Sequence, residues 1–258
     1  MMTPRHCIVF PTVENLLLEA ASRIMGLVSK SVQEERGFYL VLAGGSTPKR
    51  LYEILADQIE KSGAIWNHVH IFFGDERCVK PDHPDSNFKM ATDAFLSKVK
   101  LPDSHIHRLK GEADPATAAL DYENEIRTAF GLVVGDCSIP SFDLVLLGMG
   151  ADGHTASLFP ETVALTERSK MVVANWAPRL SAYRLTMTPV ILTRSARVFF
   201  LVTGADKAKR LSEVLEGPYC PNQTPAQLVS PDAGEITWFI DNAAATDLTS
   251  YEKHHSGQ

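Results

Sequence analysis

The chain is short of several things, and each shortage removes a class of function. Cysteine is scarce. Cys7, Cys78, Cys137 and Cys220 are the 4 in 258 residues, they lie far apart, and no two form a C-x-x-C pair. A disulfide scaffold is therefore excluded, and the four are expected as buried thiols in a reducing cytoplasm. No apolar run approaches the ~18 residues of a membrane span, and Met-Met-Thr-Pro-Arg leads into an apolar stretch too short for the core of a signal peptide. A soluble cytoplasmic protein with no membrane partner is expected. Positive charge is also lacking, with 25 basic against 31 acidic residues and a formal net charge of −6. That balance excludes a face built for nucleic acid, but a local basic pocket for a small anion stays open.

Several chemical signatures are missing as well. There is no Walker loop and no G-x-S-x-G elbow, and no cysteine has an activating neighbour in sequence, so a serine or cysteine nucleophile lacks support. His68 with His70, and His105 with His107, share strand faces in pairs. No further ligand stands at a recognisable spacing, so no metal is expected.

What remains, 45% hydrophobic and 22% charged residues, is the composition of a globular chain long enough for a sizeable core. No repeat or low-complexity tract divides it. The stretches 102–114 and 217–234, rich in Pro, Asp, Gly, Ser and Asn, read as surface loops rather than linkers, and 254–258 reads as a frayed tail. One domain over residues 1–258 is expected.

Short apolar, β-branched runs alternate with longer segments of helical period, the pattern of strand-helix-strand units feeding a parallel sheet. Strands are expected at residues 7–10, 38–43, 69–73, 142–147, 171–174, 198–203 and 236–240, and helices over 13–28, 87–96, 116–130 and 205–215. A further helix starts at Ser46, Thr47 and Pro48, read as a hydroxyl N-cap followed by proline at the first helical position, with Leu51, Ile54, Leu55 and Ile59 as its apolar stripe. The class is α/β, a parallel-rich open sheet with helices on both faces.

In such a sheet ligands sit beyond the carboxyl ends of the strands, so the turns there are where chemistry is sought. The first is Ala43-Gly44-Gly45-Ser46-Thr47-Pro48-Lys49, where glycines admit close backbone approach and helix amides attract an anion such as phosphate; an ordinary tight turn with a cap is the alternative. The second is Gly74-Asp75-Glu76-Arg77. These charges are either a solvated loop or a working group, in which the carboxylates orient or move protons and Arg77 donates to phosphate or a developing oxyanion.

The third turn is Gly148-Met149-Gly150-Ala151-Asp152-Gly153-His154-Thr155, which satisfies G-x-G-x-x-G. A dinucleotide site would also want an acidic residue ~20 positions on, near the end of the next strand, and the run Met171-Val172-Val173-Ala174 ends at Asn175 instead. His154 carries more information. Placed at a helix start, it would be held in the neutral, basic form by the helix dipole, with Asp152 orienting the ring or capping the helix.

At these turns the chain resembles the 6-phosphogluconolactonase family of the glucosamine-6-phosphate isomerase/6-phosphogluconolactonase superfamily. The blocks that carry the likeness are LAGGSTPKRLYEIL, FFGDERCVKPDHPDSNF and FDLVLLGMGADGHTASLFP, with RLTMT from Arg184 and VTGADK from Val202 extending it over most of the chain. The resemblance implies a sugar-phosphate isomerase-like fold with a smaller β-containing addition. It also implies hydrolysis of 6-phospho-D-glucono-1,5-lactone to 6-phospho-D-gluconate in the oxidative pentose phosphate pathway, without a cofactor. By position, His154 matches the general base, Asp75 and Asp152 the acidic positions, and Arg77, Arg184 and Lys207 the basic positions that bind the anionic substrate, beside the turn Gly44, Gly45, Ser46 and Thr47.

The implied partner is a small phosphorylated sugar lactone, with no nucleic acid or membrane, and the protein is expected as a monomer or small homo-oligomer. Two groups qualify for the oxyanion site, the amides near Gly44 and Gly45 or a basic side chain, and Arg179 stands as a further candidate contact. The competing activity is glucosamine-6-phosphate deamination. That pattern has a tyrosine at the position of Arg77 and an acid before the proline at 160. A non-catalytic sugar-phosphate sensor is a third reading, and it would bring a DNA-binding module for which no basic helix-turn-helix segment is present.

Overall fold

The structure, a computed structural model, describes residues 5–133, 136–250 and 252–253. Residues 1–4 and the 254–258 segment, read above as the chain start and a frayed tail, lie outside the described residues.

Strand β1 (Arg5–Phe10) runs into helix α1 (Val13–Gln33), whose first turn is closed by Thr12 Oγ1 accepting from the Asn15 amide at 3.1 Å. Leu16, Leu17, Ala20, Ala21 and Ile24 are fully buried along one stripe, as a three-and-four residue period demands. The helix continues past Val28 because neither glycine nor proline interrupts it before Gly37. There follow β2 (Phe38–Leu42), α2 (Ser46–Ser62), β3 (Val69–Phe73), β4 (Asp75–Arg77) and α3 (Asn87–Ala91), which passes into a π turn over Thr92–Leu96. The chain goes on through α4 (Pro115–Ala129), β5 (Leu144–Gly148), β6 (Val172–Ala177), β7 (Ala182–Met187), α5 (Pro189–Leu192), β8 (Arg197–Val202), α6 (Ala208–Leu215), β9 (Glu235–Asp241) and β10 (Glu252–Lys253).

Seven strands form one sheet in the order β10-β1-β9-β8-β5-β2-β3, every pairing parallel. Its inner strands are continuously apolar because helices flank the sheet; Leu40, Val41, Leu144, Val145, Leu146, Phe200, Phe239 and Ile240 are all fully buried. A second sheet of three antiparallel strands, β4-β7-β6, is the smaller β-containing addition. It joins the first through Gly74, whose carbonyl accepts from the Met187 amide at 2.8 Å. Among the described residues no helix is long and apolar enough to cross a membrane.

Three local expectations fail, and one open alternative is decided. The segment Asp75-Glu76-Arg77 is a strand rather than a solvated loop, with Asp75 and Glu76 buried, because β7 supplies the pairing partner from far along the chain. Helix α2 is capped by Gly45 at φ +107°, with no side-chain cap, so the hydroxyl cap is absent: Thr47 Oγ1 instead meets Thr203 Oγ1 at 2.8 Å. The third turn leads into further turns and an isolated bridge between Thr155 and Leu158, not into a helix. Finally, Cys137 is exposed and Cys7, Cys78 and Cys220 are only half-buried; Cys137 lies in neither a helix nor a strand.

Candidate active site

Three adjacent strands end beneath one cavity. In the sheet order β8-β5-β2 their carboxyl ends lead into residues 201–207, 148–154 and 43–48. Residues from all three segments line a cavity of about 690 Å³, a size suited to a small metabolite. The wall opposite comes from the small sheet. The residues matched to the family by position all reach this cavity: His154, Asp152, Asp75, Gly44, Gly45, Ser46, Thr47, Arg77, Arg184 and Lys207, with Arg179 at the rim.

Buried tyrosines set the geometry of the first two turns. Tyr52 Oη accepts from the Ala43 amide at 2.9 Å and donates to its carbonyl at 2.8 Å, holding the chain just before the two glycines. Tyr122 Oη does the same for the last residue of β3, accepting from the Phe73 amide at 2.8 Å. The third turn is closed by Thr155 Oγ1 donating to Gly148 O at 2.8 Å and by the Gly150 amide donating to His154 O at 2.9 Å.

A Cβ on Gly150 would overlap the His154 imidazole and crowd Asp152 Oδ1. This glycine is therefore there to seat a histidine. The G-x-G-x-x-G pattern, followed here by no helix, does not form a dinucleotide loop.

His154 and Asp152 form a dyad. His154 Nδ1 lies 2.6 Å from Asp152 Oδ1, which also accepts from the His154 amide at 3.1 Å. Burial pushes the Asp152 carboxyl upward, but the hydrogen bond and charge of His154, with the backbone amides, outweigh it and hold the group down at about 2. An ionised carboxylate can only accept, so in a neutral ring Nδ1 is the nitrogen that carries the proton and Nε2 the one that presents a lone pair. The ring also packs against Phe159, centroids 4.6 Å apart.

Asp75 is differently placed. Its Oδ2 accepts from Ser157 Oγ at 2.6 Å and its Oδ1 from Asn87 Nδ2 at 3.2 Å. Ser157 is itself fixed, its amide donating to Thr186 Oγ1 at 3.2 Å and its carbonyl accepting from Asn175 Nδ2 at 2.9 Å. This network ties the histidine turn to the small sheet. Both oxygens of Asp75 are thus engaged by side chains. Glu76 faces away from this network, its carboxylate accepting from the Asn87 and Phe88 amides at 2.7 and 2.8 Å and so anchoring α3.

Arg77 and Arg184 stand directly opposite each other on β4 and β7, and opposite residues of an antiparallel pair project from the same face. Each donates to a backbone carbonyl, Arg77 to Asp85 at 2.7 Å and Arg184 to Tyr183 at 3.1 Å, and among the described residues neither forms a salt bridge. Burial, then the charge of Arg77, pushes the Arg184 guanidinium below its ordinary value. Two like charges facing each other in a cavity wall leave an unmet demand for an anion. Lys207 adds a third cation, in contact with Asp206.

The four histidines of the paired motifs lie away from the cavity, toward the amino end of β3. His70 Nδ1 is 3.1 Å from His107 Nε2, and His107 Nδ1 is 3.0 Å from Glu125; burial lowers His70 to about 4. Ser157, Phe159 and Thr203 also line the cavity and were not singled out from sequence. The first two lie within the HTASLFP block and Thr203 just before Gly204, so their position was legible while their contacts were not.

Comparison with known proteins agrees with this geometry. The pattern of the family described as glucosamine-6-phosphate isomerases/6-phosphogluconolactonase matches residues 11–238. A 6-phosphogluconolactonase of Synechocystis is 41% identical over 237 residues, covering 92% of this chain and 93% of its own. A human 6-phosphogluconolactonase is 39% identical over 223 residues, 84% of this chain and 83% of that one. A solved 6-phosphogluconolactonase structure from Trypanosoma cruzi superposes with a TM-score of 0.85 at 28% identity, covering 97% of this chain and 99% of that chain.

Proposed function

The chain belongs to the glucosamine-6-phosphate isomerase/6-phosphogluconolactonase family, and from that premise we propose that its cavity hydrolyses 6-phospho-D-glucono-1,5-lactone to 6-phospho-D-gluconate, a step of the oxidative pentose phosphate pathway. The observation that carries this reading is the His154–Asp152 dyad in the same cavity as the unpaired Arg77–Arg184 couple. One end can activate water and the other can hold a phosphate.

The lactone ester is electrophilic, so no covalent intermediate on the protein is required. Nε2 of His154 takes a proton from a water as its oxygen bonds to C1, giving a tetrahedral oxyanion. The C1 bond to the ring oxygen then breaks, the ring oxygen recovers the proton from the imidazolium, and the new carboxylic acid ionises to solvent. Asp152 keeps the ring in the productive tautomer, and general acid-base help of this kind is worth about 10² to 10⁴-fold. Arg77 and Arg184, with Lys207 and the amides of the turn from Gly44 to Thr47, hold the phosphate and fix the distance from phosphate to C1. Asp75 acts through Ser157 as an anchor for the histidine turn.

Two features favour the lactonase over the deaminase. Arg77 supplies a cation where the deaminase pattern has tyrosine. Phe159, an apolar ring packed on His154, stands where that pattern has an acid. A mild net charge of −6 and a cavity rather than a basic face favour a small-molecule partner over nucleic acid, and the chemistry needs no cofactor. The cytoplasm is proposed as the compartment and a monomer or small homo-oligomer as the working form.

The test is hydrolysis of freshly prepared lactone, corrected for the spontaneous reaction, beside deamination of glucosamine 6-phosphate. Wild type is expected to turn over the first only, and His154→Ala to lose about 10² to 10⁴-fold in kcat. A His154→Ala protein as fast as wild type would sink the base role.

A further inference from the structure

One cation in the cavity has no place in the scheme above. Arg179 sits on a single 3-10 turn, Pro178–Leu180, at the tip of the β6–β7 hairpin. Pro178 restricts its own φ at the start of the turn, and Ser181 follows it in the left-handed region at φ +48°. The Arg179 side chain is 75% exposed and lines the cavity. Its Nη1 lies 4.0 Å from Asp152 Oδ2, too long for a hydrogen bond, while the other oxygen of the same carboxylate holds His154 at 2.6 Å. The guanidinium is therefore one carboxylate away from the base, held only by this long ion pair, whereas Lys207 is in direct contact with Asp206.

On the lactonase reading, charge changes at one place in the substrate. The phosphate keeps its charge throughout, but C1 goes from a neutral carbonyl to an oxyanion and ends as a carboxylate. A cation beside the base interacts with the transition state and the product more strongly than with the substrate, while one at the phosphate interacts about equally with all three. We propose that Arg179 is the side chain that meets the negative charge at C1, first on the tetrahedral oxygen and then on the product carboxylate. Of the two candidates for the oxyanion site, this favours a basic side chain over the amides near Gly44 and Gly45.

The full-length protein, Arg179→Ala, Arg179→Lys and, as a phosphate-end comparator, Arg184→Met are assayed for lactone hydrolysis and for inhibition by 6-phosphogluconate. Loss of one oxyanion donor in an enclosed site lowers kcat about 10² to 10³-fold, and solvent exposure of Arg179 reduces this to roughly tenfold. Arg179→Ala is expected to show that fall in kcat with KM within about twofold, and a rise of about tenfold in the product inhibition constant. Arg179→Lys recovers part of both. Arg184→Met raises KM and the product constant together.

Because Arg179 is exposed, its variants keep the wild-type melting temperature. A product inhibition constant unchanged in Arg179→Ala, or a loss confined to KM, overturns the proposal. Wild-type turnover in the same assay separates this from the activity itself: an inactive wild type refutes the lactonase reading, while an active wild type matched by Arg179→Ala refutes only the role of Arg179.

Discussion

Arg184 offers a perturbation whose effects on stability and on binding have opposite signs. It faces Arg77 across β4 and β7, is partly buried, and has its guanidinium pushed below the ordinary value by burial and then by Arg77. Arg184→Met keeps an unbranched stem to cover the sheet and removes the charge. Like charges directly opposite on paired strands are destabilising, by analogy with the roughly 0.2–1 kcal/mol that other cross-strand pairs contribute. In a chain of this size 1 kcal/mol moves the melting temperature by about 2–4 °C, so the free variant should melt about 0.5–4 °C higher than wild type. Binding should move the other way. A hydrogen bond to a charged group is worth about 1.5–3 kcal/mol, so KM for the phosphorylated lactone should rise roughly 10 to 150-fold.

Thermal unfolding at low and high salt, with and without inorganic phosphate, reads both effects. The stabilisation should shrink as salt screens the repulsion, and the rise in melting temperature that phosphate confers on wild type should be largely absent. An Arg184→Met protein that melts lower than wild type, or that retains the full phosphate-induced rise, would refute the reasoning.

Three further outcomes follow from the same geometry. The Asp152 carboxyl is held down at about 2 against an ordinary 3.8, and a depressed acid stabilises the fold above its unfolded value and loses that effect as pH falls through the folded one. Asp152→Asn should thus be less stable than wild type above about pH 4, with the gap closing between about pH 4 and pH 2; urea unfolding at pH 5 and pH 2 checks this, and a pH-independent gap contradicts it. Gly150→Ala places a methyl group where the His154 ring lies, so kcat should fall about 10² to 10⁴-fold, as for loss of the base, with KM little changed and the circular dichroism spectrum intact. Ser157→Ala leaves buried Asp75 Oδ2 without its 2.6 Å partner; a loss of about 1–3 kcal/mol in stability is expected, read by urea unfolding, and an unchanged midpoint contradicts it.

The periodic features of the chain were legible because they depend on near neighbours. The stripe on α1, the apolar runs of β2, β3, β5, β8 and β9, and the glycine-bearing turns after β2 and β5 are local statements, and a parallel sheet places such turns at one edge whatever else the molecule does. The helix inferred after Gly153 shows the limit of that reasoning. Glycine followed by His154 and Thr155 fits a helix start in isolation, but Ser157 is drawn instead to Asp75, Thr186 and the side chain of Asn175, and the chain turns to meet them.

The sequence by itself pointed to residues that meet at one cavity, since His154, Asp152, Arg77, Arg184 and Lys207 stand in blocks that resemble those of the family and all line it. Only the tertiary structure decided what each of them touches. Three adjacent charges became a strand because β7 pairs with them, and that pairing set Arg77 against Arg184. A threonine expected to cap α2 turned to Thr203, and Asp75 was taken up by Ser157 and Asn87. These outcomes rest on partners tens of residues away in sequence. Hydrogen bonds and charge pairs act over a few ångströms of space, which periodicity along the chain does not report.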